Sequence, residues 1–338
     1  MKKALLRTPR ELAIVEAPMP EPGPGEALVR VRAGGVCGSD VHAFRGSSAF
    51  QVYPNTPGHE IAGEVAALGE GVTNLSPGEH VVLDPMIRCG HCYPCRLGRY
   101  NCCTTLRVMG VHSEGGFAEY VALQAARLHR IGASVPFRAA AMVEPLCVSA
   151  HAVARGRVSA ADRVLVIGAG TIGLGVLLMA RLAGATVAVS DPLPEKLRLA
   201  QRLGADVAID PGERDVQEAI QEWTAGDGAS VVIEAVGHPR TTRAALDYVS
   251  FAGRVVIVGI TPEEVPFPVP LLVRKELDVV ASRNSREQFP RVVSLIESGQ
   301  IDPAPLISHD LPFERLAEAF AMIAERPNEV RKVVLSFG

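Results

Sequence analysis

Five of the seven cysteines fall within one short window of the chain. Cys89, Cys92 and Cys95 are each separated by two residues, and Cys102 and Cys103 follow after six and seven intervening residues. Four thiolates satisfy a tetrahedral zinc site with no open position, and such a site folds its loop instead of catalysing a reaction. The window lacks the three-residue gap and final Cys-Pro of a bacterial iron–sulfur cluster. It therefore predicts a structural zinc lobe between Cys89 and Cys103, with a redox-active or incidental cysteine cluster as the alternative.

Three further segments offer metal-binding side chains outside this window. They contain Cys37, the pair His59 and Glu60, and Glu144. Cysteine, histidine and carboxylate are suitable zinc ligands, and three protein ligands with an open position define a catalytic site. Each segment alone is a weak signal. A lone histidine is more often structural, and a glutamate at 144 could simply face the positive end of a helix dipole.

Gly168, Gly170 and Gly173 form a G-x-G-x-x-G motif between a hydrophobic strand candidate and an apolar helical pattern. In this context the glycines allow a tight turn, close approach of a pyrophosphate and close helix–strand packing. Asp191 stands 21 residues after Gly170, at the end of the next strand candidate. A carboxylate there binds the adenosine ribose and repels a 2′-phosphate, which favours NAD over NADP. The alternative is a glycine turn in an unrelated α/β sheet, with Asp191 capping the next helix.

The pattern of predicted strands and helices that must position these residues changes along the chain. Up to about residue 150, short strands alternate with Pro- and Gly-rich turns, which predicts an irregular β-rich domain. Beyond residue 155, strands alternate with helices, which predicts a parallel, doubly wound sheet. The strand candidates are 163–167, 186–190, 207–209, 230–234, 254–258 and 277–280; the helical patterns are 172–183, 194–203, 213–223 and 241–249, followed by 287–298 and 313–324. The last strand, 331–337, cannot extend the series without a crossover, so we expect it to return to the first domain.

Length and composition exclude several classes of protein. The 338 residues are enough for about two domains. A net charge of −3 argues against a dedicated nucleic-acid binder. The odd number of cysteines and the absence of a secretory leader pattern argue against a disulfide framework. The uncharged run 164–180 contains four glycines and predicts a buried strand–turn–helix in preference to a membrane span. We therefore expect a soluble, cytoplasmic protein with reduced thiols and no membrane partner.

Taken together, the motifs resemble the zinc-dependent medium-chain dehydrogenase/reductase family over nearly the whole chain. The segments that carry the resemblance are G-V-C-G-S-D-V-H (35–42), G-H-E (58–60), the cysteine lobe, V-E-P-L (143–146) and G-A-G-T-I-G (168–173). It implies an α/β plus β fold, in which a Rossmann NAD-binding domain is inserted into a GroES-like β-barrel. The implied limits are 152–286 for the inserted domain and 1–151 with 287–338 for the catalytic domain.

The resemblance also implies roles for the metal-binding residues. The catalytic zinc ligands are Cys37, His59, Glu60 and Glu144, and in some members one glutamate exchanges for water. Cys103 is the fourth lobe ligand because the family places it eight residues after the third. Cys102 is then a bystander, and Cys147 is expected to be a packed core thiol. Asp40 matches a carboxylate that orients His59, or it simply caps a turn.

The remaining implied roles concern protons and cofactor. Ser39 receives the proton of the substrate hydroxyl, and His42 passes it to solvent. Lys196 stands where relatives usually have arginine. The expected cofactor contacts are Gly168, Gly170, Ile172, Gly173, Asp191, Lys196, Val258, Gly259, Ile260 and Ser282.

Substrate identity rests on fewer residues. Arg283 could clamp a carboxylate and Asn284 and His112 could contact substrate, together with Ser39 and Glu144. Alternatively, Arg283 is a surface residue and His112 satisfies its loop. The branch that these segments resemble most includes L-galactonate and L-gulonate 5-dehydrogenases.

The function expected from this resemblance is NAD- and zinc-dependent oxidation of a sugar acid to a keto-aldonate. The alternatives are a polyol or L-threonine dehydrogenase and, more remotely, a non-catalytic NAD-binding protein. We expect one catalytic and one structural zinc, a small-molecule alcohol or sugar-acid substrate, no nucleic-acid partner, and a homotetramer or homodimer.

Overall fold

The computed structural model describes residues 1–48 and 51–338. The chain divides into two compact units. The first unit combines both ends of the chain, Met1–Glu144 and Phe289–Gly338, and the second is Pro145–Gln288.

The elements are numbered in chain order. The strands are β1 (Lys2–Thr8), β2 (Glu11–Glu16), β3 (Glu26–Val36), β4 (Glu60–Leu68), β5 (His80–Leu83), β6 (Met86–Ile87), β7 (Arg107–Val108), β8 (Tyr120–Gln124), β9 (Leu128–Arg130), β10 (Arg163–Ile167), β11 (Thr186–Ser190), β12 (Val207–Ile209), β13 (Ala229–Glu234), β14 (Val249–Ile257), β15 (Asp278–Ala281), β16 (His309–Pro312) and β17 (Val333–Ser336). The α-helices are α1 (Gly38–Arg45), α2 (Tyr93–Arg96), α3 (Phe137–Ala140), α4 (Val143–Arg155), α5 (Thr171–Leu182), α6 (Pro194–Arg202), α7 (Val216–Trp223), α8 (Pro239–Tyr248), α9 (Val269–Lys275), α10 (Phe289–Glu297) and α11 (Leu316–Glu325).

In the first unit, a seven-stranded sheet is built around β3. Its order is β16-β17-β3-β4-β5-β9, and β8 also pairs with β3. Alternate residues of β3 point into the core, because successive side chains of a strand face opposite sides of the sheet. The final strand β17 pairs antiparallel with β3 through Val333 and Val36. This confirms the expectation that the last strand returns to the first domain.

Phe117 fills the core beneath the two loops that carry metal-binding residues. It is fully buried and lies edge-on to Phe320, at a ring-centroid separation of 6.3 Å. A Cβ at Gly34 would come within 2.9 Å of the Phe117 ring, and one at Gly58 within 2.4 Å. Gly58 also has a φ of +98°, which glycine adopts readily. Both glycines are therefore required by the packing.

In the second unit, the predicted parallel, doubly wound sheet is confirmed. Its order is β12-β11-β10-β13-β14-β15, and all its pairings are parallel. The first three predicted strands have the observed bounds. The strand predicted at 254–258 instead begins at Val249, and its early part carries the exposed residues Phe251 and Ala252. Ala252 has a φ of +53°, so the early part of this strand is irregular and resembles a turn.

The uncharged run 164–180 is the buried β10–turn–α5 unit. Leu174, Val176 and Leu177 of α5 are fully buried. A Cβ at Gly173 would lie 1.8 Å from the Gly168 carbonyl oxygen, so the close approach of helix and strand depends on this glycine. Within the described residues, no helix is both long enough and apolar enough to cross a bilayer.

Several helical segments differ from the sequence prediction. α7 begins at Val216, not at 213, and α8 begins at Pro239, not at 241. α9 lies in the proline-rich run after Thr261, where no helix was predicted. α10 is shorter at both ends than the predicted 287–298. The stretch predicted at 313–324 begins as a short 3-10 helix, Phe313–Arg315, before α11 continues to Glu325.

Replacing Gly173 by alanine should destabilise the second unit. The added methyl would clash with the backbone, which cannot move aside as a flexible side chain can. We therefore expect the free energy of unfolding to fall by about 1–3 kcal/mol or more. Gly170→Ala is the matched control, since nothing lies within 4 Å of a Cβ there. Urea unfolding followed by fluorescence of Trp223, the single tryptophan and part of α7, measures both variants. Equal stability of the two variants would contradict the packing role of Gly173.

Candidate active site and metal centres

The cysteine lobe gathers four thiols at one point. The sulfur atoms of Cys89, Cys92, Cys95 and Cys103 all lie within 4.8 Å of one another. Cys103 Sγ lies 3.6 Å from Cys89 Sγ, and the Cys92 N–H donates to Cys89 Sγ at 3.4 Å. In the part of the chain that the structure describes, Cys102 does not belong to this group.

The electrostatics of the lobe fit a bound cation. A backbone hydrogen bond from Thr104 is the main factor that lowers the pKa of Cys92 to about 5. Burial is the main factor that raises the pKa of Cys95 to about 12. Four thiols this close cannot all ionise without a compensating cation. A closed, all-sulfur, four-ligand set is typical of structural zinc.

A second group of metal-binding side chains lies at one end of the β3–β4 pair. The ligand atoms of Cys37, His59 and Glu60 all lie within 4.8 Å of one another. Cys37 follows β3 and caps α1, while His59 directly precedes β4 and Glu60 begins it. Gly35 pairs with Glu60 in the antiparallel register, so the ends of the two strands bring these residues together.

Asp40 braces the two ligand-bearing loops. Its buried carboxylate accepts the Cys37 N–H at 2.9 Å and the Gly58 N–H at 3.2 Å. His59 Nδ1 lies 3.7 Å from Asp40 Oδ1, which is too long for a hydrogen bond. The hydrogen bonds of Asp40 are therefore those that the turn-capping alternative expects. Asp40 acts on His59 through its charge.

Glu60 is held by a buried lysine that sequence reasoning missed. Lys332 Nζ lies 2.7 Å from both carboxylate oxygens of Glu60 and 3.1 Å from the Val36 carbonyl oxygen. The Glu60 and Lys332 side chains are only 1% and 4% exposed. The one sequence signal is a lysine directly before the apolar strand β17, which by itself does not reveal a buried ion pair.

Glu144 lies in the first turn of α4. Burial, together with the negative charge of Glu60, raises the pKa of Glu144 to about 7 although His59 opposes the shift. Among the described residues, Glu144 does not join the compact group of Cys37, His59 and Glu60. The structure therefore brings three of the four expected ligands together and leaves the fourth beyond that group.

The charge of this group fits a divalent cation. Burial lowers the pKa of His59, but the negative charges of Asp40 and Cys37 outweigh it and raise that pKa well above its ordinary value. The half-buried Cys37 sulfur, the buried His59 imidazole and the buried Glu60 carboxylate form the mixed sulfur, nitrogen and oxygen set that zinc accepts.

The side chains expected to handle protons and substrate in the first unit lie at the surface or in turns. Ser39 and His42 are exposed on α1, and His42 Nδ1 lies 3.0 Å from Ser47 Oγ. His112 Nδ1 accepts the Val108 N–H at 3.1 Å and so closes a turn, as the loop alternative expects.

In the second unit, the expected cofactor residues follow the carboxyl ends of parallel strands. Gly168 follows β10, Asp191 follows β11, Val258 follows β14 and Ser282 follows β15. Because all these strand ends meet at one edge of the sheet, this edge is where a doubly wound fold binds its ligand.

The glycine turn leaves room for an anion. Gly168 has a φ of +96°, and a Cβ at Gly170 would meet no atom within 4 Å. Gly170 occupies the N-cap of α5 and has no side chain that could cap the helix. The N–H groups at a helix N-terminus attract phosphate. Asp191 orders the same turn, because it accepts the Ala169 N–H at 2.8 Å and the Leu193 N–H at 3.0 Å.

Glu234 is a further organising residue that the sequence did not reveal. Fully buried at the end of β13, it accepts hydrogen bonds through Oε1 from the Val236 and Gly237 N–H groups, each at 2.9 Å, and from Thr241 Oγ1 at 2.8 Å. It thereby fixes the loop after β13. A Cβ at Gly259 would lie 2.0 Å from the Gly237 nitrogen, so Gly259 is required by packing against this loop.

The other expected contacts occupy varied environments. Ser282 is buried, and its Oγ has no hydrogen-bond partner among the described residues, which suits a group that binds a ligand. Ile260 is 86% exposed and Arg283 is also exposed. Ile172, Lys196 and Asn284 are half-buried. Cys147 is fully buried in α4, which confirms the prediction of a core thiol.

Comparisons with known proteins agree with this fold. The family description "Alcohol dehydrogenase GroES-like domain" matches residues 23–133, and "Zinc-binding dehydrogenase" matches residues 171–298. The starvation-sensing protein RspB of Escherichia coli K12 is 38% identical and covers 100% of this chain and 99% of its own length. The L-galactonate-5-dehydrogenase of the same strain is 35% identical, with coverage of 100% and 99%.

A solved structure is similar over the same extent. An alcohol dehydrogenase from Escherichia coli CFT073, complexed with the cofactor NADH, has a TM-score of 0.95 and 36% identity and covers 100% of this chain and 99% of that one. The chain therefore belongs to the zinc-dependent medium-chain dehydrogenase/reductase family. It is an oxidoreductase of the alcohol dehydrogenase type, whose cofactors are zinc and a nicotinamide dinucleotide, and the expected fold class is confirmed.

Replacing Cys103 by serine should remove one zinc ion per chain and lower the melting temperature, because the lobe loses a thiolate ligand. Cys102→Ser is the matched control and should keep the full zinc content. Elemental analysis and thermal unfolding of both variants measure the effect. Loss of zinc from Cys102→Ser with retention in Cys103→Ser would show that the wrong cysteine has been assigned.

Proposed function

We propose that this enzyme uses NAD to oxidise a secondary alcohol of a hexonic acid, of the L-galactonate or L-gulonate type, to a keto-aldonate. The observation that carries the proposal is the position of Arg283. It follows Ser282 directly after β15, at the ligand-binding edge of the parallel sheet, and its side chain is exposed. A guanidinium there is suited to a planar carboxylate, which polyols lack. The full-length likeness to an L-galactonate-5-dehydrogenase supports the same substrate class.

The proposed ligands of the catalytic zinc are Cys37, His59, Glu60 and Glu144, and those of the structural zinc are the four lobe cysteines. When bound, the catalytic zinc lowers the pKa of the substrate hydroxyl, and the nicotinamide accepts the hydride. Asp40 keeps the Cys37 and Gly58 loops in place.

Two residues of α1 carry the proposed proton path. Ser39 accepts the proton of the substrate hydroxyl, and His42 passes it to solvent, for which both are suitably exposed. They lie three residues apart on one helix, which places them on the same side of it. The oxidation thus releases one proton to water and one hydride from the carbinol carbon.

Oligomeric state and location remain predictions. Among the described residues no cysteine forms a disulfide, and a four-thiolate lobe requires reduced sulfur, which supports the expected cytoplasmic location. We propose the homodimeric or homotetrameric assembly that the family resemblance implies.

A screen of NAD reduction across hexonates, polyols and L-threonine tests the proposed substrate class directly. Relatives named sorbitol dehydrogenase and L-threonine 3-dehydrogenase are 31% and 35% identical to this chain, so these compounds are the natural competitors. We expect the highest kcat/KM for a hexonate. A higher value for sorbitol or L-threonine would replace the sugar-acid assignment.

Arg283→Ala should raise KM for hexonates by about 30-fold, because a charged hydrogen-bonding partner of the carboxylate is lost. KM for neutral polyols should change by less than about threefold. Arg286→Ala is the matched control. Arg286 Nε lies 4.0 Å from Glu287 Oε2, and Arg286 is not proposed to bind substrate. Equal changes in KM for both substrate types would contradict the carboxylate clamp.

Asp191 is proposed to select NAD over NADP. Its carboxylate stands after β11, where it repels a 2′-phosphate. We expect Asp191→Ser to lower the ratio of kcat/KM for NAD to kcat/KM for NADP by at least about tenfold. Steady-state kinetics with each cofactor measure this ratio, and an unchanged ratio would exclude Asp191 as the selecting residue.

A further inference from the structure

We propose that Ser47 is a positioning residue for His42. Its hydroxyl keeps the proton of the neutral imidazole on Nδ1 and thereby leaves Nε2 as the atom that takes up a proton during the reaction. The inference deepens the proton path given under the proposed function and rests on it. It does not depend on the identity of the substrate.

The C-terminal end of α1 brings Ser47 to His42. Gly46 follows the helix with a φ of +75°, a left-handed conformation that glycine adopts readily. The Gly46 N–H donates to the Ala43 carbonyl at 3.0 Å, and the Ser47 N–H donates to the His42 carbonyl at 2.9 Å. This pair of bonds forms a Schellman motif, in which the two residues at the positions of Ser47 and His42 often make an apolar contact. In this chain the two side chains are a hydroxyl and an imidazole instead.

Contacts with three other segments of the first unit fix this helix end. The Phe44 carbonyl accepts the Arg10 N–H at 2.7 Å, and the Tyr53 hydroxyl donates to the carbonyl that precedes Phe44. The Phe44 ring lies edge-on to Phe320, with 5.6 Å between the ring centroids. The backbone at Ser47 is therefore held by neighbouring elements although its side chain is exposed. Removing the hydroxyl should leave the helix end in place.

The Ser47 hydroxyl lies between two groups of His42. Its Oγ is 3.0 Å from His42 Nδ1 and 3.3 Å from the His42 carbonyl oxygen. A hydroxyl has one proton to donate, and a carbonyl oxygen can only accept it. When that proton is directed to the carbonyl, the lone pairs of Oγ accept a hydrogen bond from Nδ1–H. The neutral ring carries a single N–H, so Nε2 is then the nitrogen with the lone pair.

This arrangement suits both protonation states of His42. When Nε2 takes up a proton, both ring nitrogens become donors and the bond from Nδ1–H to Oγ stays as it was. In the opposite arrangement the hydroxyl donates to Nδ1, and the proton of the neutral ring lies on Nε2. That nitrogen could not accept a proton from Ser39, and the hydroxyl would have to rotate in every turnover. The first arrangement lets Nε2 accept the proton from Ser39 and release it to water without other change.

Nitrogen-15 NMR of the full-length holoenzyme, labelled at histidine and recorded where the ring is neutral, shows which ring nitrogen carries the proton. The His42 signals are those that disappear in His42→Gln. We expect the Nδ1–H form in the wild type and in Ser47→Thr, the matched control that keeps the hydroxyl. Ser47→Ala removes the group that fixes the tautomer, so its signals should shift towards the Nε2–H form. An Nε2–H ring in the wild type, or an unchanged spectrum in Ser47→Ala, would overturn the assignment.

The pre-steady-state rate of NADH formation shows whether this tautomer matters for the reaction. It is measured with whichever substrate has the highest kcat/KM in the screen. Ser47→Ala should lower this rate about fivefold, as expected for the loss of one hydrogen bond, and leave KM within about twofold. Ser47→Thr should stay within about twofold of the wild-type rate. In the His42→Gln background, Ser47→Ala should change the rate by less than about twofold, because the residue that it positions is absent.

The outcomes separate this inference from the proton path on which it rests. A wild-type rate in His42→Gln would show that the proposed proton path fails, and the role of Ser47 would fail with it. If His42→Gln is slow, the role of Ser47 alone is overturned by an unchanged rate in Ser47→Ala. It is also overturned by an equal loss of rate from Ser47→Ala in both backgrounds, which would mean that Ser47 acts on the structure and not through His42.

Discussion

The catalytic half of the molecule depends on the register of β3 with its two neighbours. Gly35 pairs with Glu60 on one side, and Val36 pairs with Val333 on the other. This pairing brings Cys37, the His59–Glu60 pair and Lys332 to one end of the sheet from three distant parts of the chain. A slip of one residue would turn each of these side chains to the opposite face, so the register is also the condition for the site to exist.

The register creates a buried cluster of charges that must balance. Asp40 and Glu60 are buried carboxylates, and Lys332 compensates one of them. The side chains of Cys37, His59 and Glu60 form a donor set that can hold a dication. In the second unit, by contrast, the phosphate-binding chemistry of the ligand-binding edge is that of backbone N–H groups at the start of α5. One unit thus offers side-chain ligands for a metal, and the other offers main-chain donors for a phosphate.

The sequence predicted those features that depend on local spacing. The cysteine lobe, the glycine turn with Asp191 and the alternating strands and helices of the second unit all lie within short windows, so their patterns are visible along the chain. The features it missed depend on long-range pairing. Lys332 is opposite Glu60 only because β17 returns to β3, and the need for Gly35 is visible only once Glu60 is seated against it. Asp40 was expected to orient His59, but its hydrogen bonds go to backbone, a choice that spacing cannot decide.

We propose that this chain holds its working metal at the Cys37–His59–Glu60 group and a second metal at the four-cysteine lobe, because each group gathers ligand atoms at one point. Zinc content of the wild type and of His59→Ala, measured with their rates of NAD reduction, tests it most directly. The account predicts two zinc ions per chain in the wild type, one for each ligand group, and a fall to one with loss of activity in His59→Ala. A variant that keeps both zinc ions, or that keeps its activity with one, would contradict it.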